Sequence, residues 1–166
     1  MASFRIREDA REWFSDISNI KDRGFATDFD AFYFCFMAGI ATQSKKDASA
    51  SETAEFIDHF PGRHRARGRL LVALFLNTEL RMLGVDMNEK KYVHTAISRL
   101  IQPDSQNYLS DEGMKEFNKY AHGGYDVLLE WFDDRPRSLE VFLRMFKKKL
   151  DSHLKNSQLA EETAAA

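Results

Sequence analysis

Residues 27–43 read TDFDAFYFCFMAGIATQ, and the folding of this stretch decides how the rest of the chain is organised. Two periodicities compete in it. Phe32, Phe34 and Phe36 alternate as strand residues do, whereas the length of the segment, the capping residue Thr27 and the basic pair Lys45 and Lys46 at its far end fit a helix. Asp28 and Asp30 fall in the first turn, where carboxylates suit the positive end of a helix dipole. The body from Phe29 to Gln43 is apolar nearly all round, which places it at the centre of a bundle. Its unbroken apolar run, 31–41, is far short of the ~20 residues a membrane span needs.

A second apolar helix is predicted from Ala66 to Leu83, with Leu70 to Leu76 unbroken and Gly84 in the place of a left-handed C-terminal residue. Around these two, Ile6–Ile17 carries Ala10, Trp13 and Phe14 on one helical face, and the Ser49/Glu52 spacing of a capping box predicts a short helix over Ser51–His59. Further helices are expected over Glu89–Ile101, from Asp111 to the glycine pair Gly123-Gly124, onward from Tyr125, and from Pro136 to Leu154. Residues 19–26 read as a connection, and residues 155–166 as a small, polar, flexible tail. The expectation is an all-α single domain over 1–154, a compact bundle or orthogonal array of six to seven helices.

Composition narrows the function classes. The 166 residues include 14 Phe, so the core should be aromatic-rich and any surplus left outside would mark a partner surface. A net charge of -2 excludes a polycation drawn as a whole to nucleic acid or membrane, so such attraction needs a local patch. One cysteine, Cys35, leaves no internal disulfide and fits a reducing, cytoplasmic setting. Arg5, Arg7, Glu8, Asp9 and Arg11 occupy the place a signal peptide would need for its apolar core.

No phosphate-cradling glycine loop, dinucleotide fingerprint, zinc-binding His-Glu-x-x-His or serine elbow occurs in the chain, so no catalytic apparatus or cofactor is expected. Cys35 lies among Phe34, Phe36 and Met37 and reads as structural. Glu55, His59 and His64 are the nearest approach to a metal set, a reading set against ordinary solvated side chains. Glu79, inside an apolar helix, must reach solvent, meet a base or line a cavity.

Two segments stand out as candidate sites. Arg63, His64, Arg65, Arg67 and Arg69 place four arginines in seven residues at the start of a helix, where the dipole disfavours cations. They can pair with Glu52, Glu55 or Asp58, bind phosphate or nucleic acid through the guanidinium fork, or meet an acidic protein surface. Tyr120, His122, Gly123, Gly124 and Tyr125 set glycines between aromatics, which suits close approach of a backbone or flat ligand, tight helix packing, or a helix break. The basic group Arg144, Lys147, Lys148 and Lys149 lies in the last turns of its helix, where cations are favoured anyway.

The Tyr120–Tyr125 stretch, followed by Leu128, Leu129, Glu130, Pro136, Leu139, Glu140, Phe142 and Leu143, is similar to small helical accessory proteins encoded with bacterial DNA-targeting defence machinery. That resemblance implies a non-catalytic subunit beside a larger ATPase or nuclease, and carries over no functional residue. The expected function is therefore a cytoplasmic interaction or adaptor subunit that docks on a larger protein through an aromatic helical face and the arginines. Direct nucleic-acid binding and a small metal-dependent enzyme are the alternatives, and homo-oligomerisation is open.

Overall fold

Phe4 and Ile6 face inward and Arg5 and Arg7 outward, a period of two that makes the first element a strand, β1 (Phe4–Arg7). In the computed structural model, which describes residues 2–18 and 20–166, β1 pairs antiparallel with β2 (Thr53–Ile57), setting Arg5 opposite Glu55 and Arg7 opposite Thr53. Met1 and Asn19, the latter opening the predicted 19–26 connection, lie outside the described residues. Seven α-helices make up most of the rest: α1 (Glu8–Trp13), α2 (Ser15–Ser18), α3 (Asp28–Thr42), α4 (Gly68–Met82), α5 (Lys90–Leu100), α6 (Asp111–Trp131) and α7 (Leu139–Ala165). The fold is thus mainly α with a small two-stranded sheet, and the all-α expectation is corrected at both strands. The predicted helix over Ser51–His59 fails for an instructive reason. Glu52 does accept from the Ser49 amide (2.9 Å) and hydroxyl (2.7 Å), but these capping-box bonds close one isolated turn before the chain extends.

Helix α3 forms as predicted, with Thr27 and Asp30 completing a capping box. It packs most extensively on α6, and the two exclude water with aromatic rings. Phe36 stacks on Phe117 with centroids 4.0 Å apart, and Phe4 from β1 meets Phe29, Phe32, Phe60 and Phe117. The aromatic surplus is used inside: among the described residues the only aromatic side chain in the exposed class is Tyr92. Among the described residues no aromatic docking face is thus exposed, and apart from Tyr92 the large apolar groups left outside are aliphatic or Met, including Leu70, Met82, Leu83 and Met87 around α4 and its exit.

The glycine pair does not break α6. Gly124 sits where an added methyl would overlap the Cys35 carbonyl of α3, and Gly39 where one would overlap the Tyr120 carbonyl of α6. Two helices in backbone contact offset the roughly 2 kcal/mol that a pair of helical glycines costs. Glu79 of α4 meets a base, as its burial requires. The Lys45 ammonium donates to both its carboxylate oxygens (2.8 and 2.9 Å) and to Glu116, while the Tyr120 hydroxyl donates to Glu79 (2.6 Å). Helix α7 runs past its predicted end at Leu154 to Ala165, burying only Phe142 and Phe146. No helix among the described residues is long and apolar enough to cross a membrane.

Candidate functional site

The arginine cluster begins at Pro61-Gly62, where Gly62 takes a left-handed φ of 41°, and continues as a single 3-10 turn, Gly62–Arg67, that runs without a gap into α4. The helical run therefore starts at Gly62, ahead of the arginines, rather than at the expected Ala66. The turn is anchored from inside. Phe60 lies against the α-carbon of Gly68, and His64 points into the core between the rings of Phe29 and Tyr33.

His64 Nε2 donates to Asp30 Oδ1 at 2.8 Å, with both residues about 95% buried. The carboxylate partner fixes the proton on Nε2, leaving Nδ1 without a hydrogen bond. The second carboxylate oxygen of Asp30 accepts the amides of Ala26 and Thr27 (2.9 and 3.0 Å). Burial opposes this charge, but the His64 bond and the two amides outweigh it and hold the Asp30 carboxyl below its usual range. His64 is thus a fixed anchor rather than a surface ligand, tying the turn to the cap of α3.

The arginines themselves stay outside. Arg63 is 67% exposed, with its Nε 4.0 Å from Asp30 Oδ1, and among the described residues Arg65, Arg67 and Arg69 have no carboxylate within ion-pair distance. The acids expected to neutralise them are engaged elsewhere: Glu52 with Ser49, Glu55 with Ser3 and Arg5, Asp58 with His59. Internal pairing therefore does not account for the cluster. Nor do Glu55, His59 and His64 converge on a metal position, since they lie against Arg5, Asp58 and Asp30 respectively.

Facing the turn across a cleft of about 490 Å³ is the loop before α6. His59, Phe60 and Arg65 form one wall, and Ser105, Gln106 and Tyr108 the other. The Arg69 guanidinium lies 5.5 Å from the centre of the Tyr108 ring, within cation–π range. Tyr108 has a φ of 64°, a left-handed conformation that costs a bulky residue roughly 1–2 kcal/mol. Its neighbour Asn107 locks the bend, donating to the Asp58 carbonyl (2.8 Å) and accepting the Leu109 amide (3.0 Å). No family model, curated protein or solved structure matches the chain. The cleft thus sets exposed guanidinium groups beside a half-buried aromatic ring.

The second predicted segment is interior. Tyr120, His122, Gly123, Gly124 and Tyr125 are all buried in α6, and the backbone that approaches the glycines belongs to this chain's own α3 and to Ser44. The Tyr125 hydroxyl donates to the Asp9 carbonyl (3.2 Å), with Arg7 over its ring. Cys35, equally buried, has its thiol pushed up by desolvation and is unreactive at neutral pH.

His122 Nε2 donates to the Arg5 carbonyl at 3.1 Å, and its Nδ1 has no partner. Burial, with the charges of Arg7 and Arg5, holds the imidazole below its ordinary value of 6.5 against the pull of the Arg5 and Lys46 carbonyls. The unfolded chain therefore takes up this proton at higher pH than the folded one. The associated stability is complete above pH 6.5 and is lost as pH falls through the folded value. In urea titrations at pH 7.5 and 5, His122→Gln should lose less stability on acidification than the parent protein. Equal losses would show that His122 carries none of the acid sensitivity.

Proposed function

We propose that the protein is a non-catalytic interaction subunit of a larger cytoplasmic assembly, and that it engages an anionic partner through Arg63, Arg65, Arg67 and Arg69. The observation that carries this reading is the display of three arginines on an anchored turn and a fourth, Arg69, on the first turn of α4, with a single distant carboxylate, at 4.0 Å from Arg63, among the described residues. A cluster with so little ion pairing inside the chain supports a role toward something outside it. Charge distribution supports it. Residues 62–100 hold eight Lys and Arg against three Asp and Glu, while the whole chain has a net charge of -2. Leu70, exposed next to Arg69, adds apolar area beside the cations, and Met82, Leu83 and Met87 are exposed at the far end of the same helix and just beyond it.

Retention on immobilised heparin tests the face. Despite the negative net charge, the protein should bind, and Arg63, Arg65, Arg67 and Arg69 changed together to Ala should abolish retention. Arg144, Lys147, Lys148 and Lys149 changed to Ala remove the same charge from α7 and should leave most of it intact. Equal losses in the two variants would sink the reading. A nucleic-acid partner is the second reading, and the position of Tyr108 beside Arg65 and Arg69 favours it.

A further inference from the structure

We infer that the cleft between the arginine turn and residues 105–108 holds a nucleotide unit of a single-stranded nucleic acid, with its base against Tyr108 and its phosphates on Arg65 and Arg69. This rests on the anionic-partner reading above and adds which anion is bound. The lining selects it. Arg65 and Tyr108 flank the same opening, and Arg69 lies on the Tyr108 ring, so cation and stacking surface are a few ångströms apart, the combination that single strands use. The volume, about 490 Å³, is that of a small-molecule site.

Competing anions fit less well. A duplex needs phosphate contacts spread along a groove, whereas these arginines sit within seven residues. An acidic helix from a protein needs apolar holes for its anchors. The cleft offers His59, Arg65, Ser105, Gln106 and Tyr108 around the already buried Phe60. Polar groups are instead available to a base edge. His59 holds Nδ1 against the Asp58 carboxylate (2.8 Å), which orients the ring at the opening, and the amide of Gln106 can both donate and accept. The Asn107 bonds hold Tyr108 in place before any ligand arrives.

Fluorescence anisotropy with short labelled single strands of DNA and RNA, the matching duplex and polyglutamate decides the matter. Single strands should bind more tightly than duplex or polyglutamate. Tyr108→Asn, which tolerates the left-handed backbone, should weaken binding about tenfold or more with an unchanged salt dependence. Tyr108→Phe keeps the ring and should retain binding. Arg65→Ala and Arg69→Ala should each reduce the slope of log K against log salt by about 0.7. Duplex binding as tight as single strand, an unaffected Tyr108→Asn, or a Tyr108→Phe as weak as Tyr108→Asn would overturn the inference. If oligonucleotides do not bind while heparin retention still depends on the four arginines, this inference falls and the anionic-partner reading stands. If that dependence is missing too, both fall.

Discussion

Gly124→Ala is expected to lower the melting temperature by roughly 6–12 °C, the shift that about 3 kcal/mol produces in a domain of this size. The added methyl would overlap the Cys35 carbonyl and crowd the Gly39 amide, both backbone atoms of α3. A side chain in the way could change rotamer, but a helix backbone can only move as a body, and α3 is stacked through Phe36 on Phe117 of the same partner helix. Gly39→Ala meets the Tyr120 carbonyl from the other side and should behave alike. Because both changes open one interface, their costs should combine to less than the sum. The comparison that isolates packing is Gly84→Ala. Gly84 has open space around it and a φ of 67°, so alanine there costs only the left-handed strain, about 1–2 kcal/mol. Thermal unfolding followed by circular dichroism would refute the close-packing account if Gly124→Ala shifted the midpoint no more than Gly84→Ala.

The same glycines show how far the sequence could be read. Gly123 and Gly124, set between aromatics, suggested close approach, tight packing or a break, but the backbone that meets them lies 79 to 89 positions away, at Ser44 and Cys35, which no local pattern encodes. The apolar body of α3 behind Thr27 and the start of α6 behind Ser110 were legible because their signals are local, whereas the continuity of α6 through Gly123-Gly124 was not. The strands were not. Four and five residues are too few for a period of two to outweigh a helical reading, and β1 finds its partner nearly fifty residues downstream.

At the candidate site the arginines were legible as a cluster, while the features that give the cluster a shape were hidden. Asp30 had a sufficient explanation as a carboxylate in the first turn of α3, and nothing marked it as the partner of His64, 34 residues on. Tyr108 had only the turn-forming Asn107 beside it as a signal, which indicates a bend without saying what the ring will face. His64 was grouped with the arginines in the sequence, yet it is drawn inside and holds the segment to the core while they stay exposed.

Lys45→Met should cost about 3–5 kcal/mol, because it removes the ammonium that compensates a buried carboxylate without removing the carboxylate. The Glu79 side chain is only 4% exposed, and the variant leaves it with the Tyr120 hydroxyl as a donor but no cation, while Glu116 keeps Lys119 at 2.9 Å. Neutralising the acid should recover much of the loss: Lys45→Met combined with Glu79→Gln should be more stable than Lys45→Met alone, a coupling readable from urea denaturation. If the double variant is the less stable of the two, Glu79 is not the charge that Lys45 compensates. The network also steadies the far end of the helix that carries Arg69. Glu79 stands near the end of the helix that Gly68 opens, and through Lys45 and Tyr120 it fixes α4 against α6. Loosening that end leaves the arginines charged and exposed but frees the helix that carries Arg69. Lys45→Met should therefore weaken heparin retention only slightly, since total charge at the turn is unchanged, and weaken binding at Tyr108 more, since that needs Arg69 and the ring held in register.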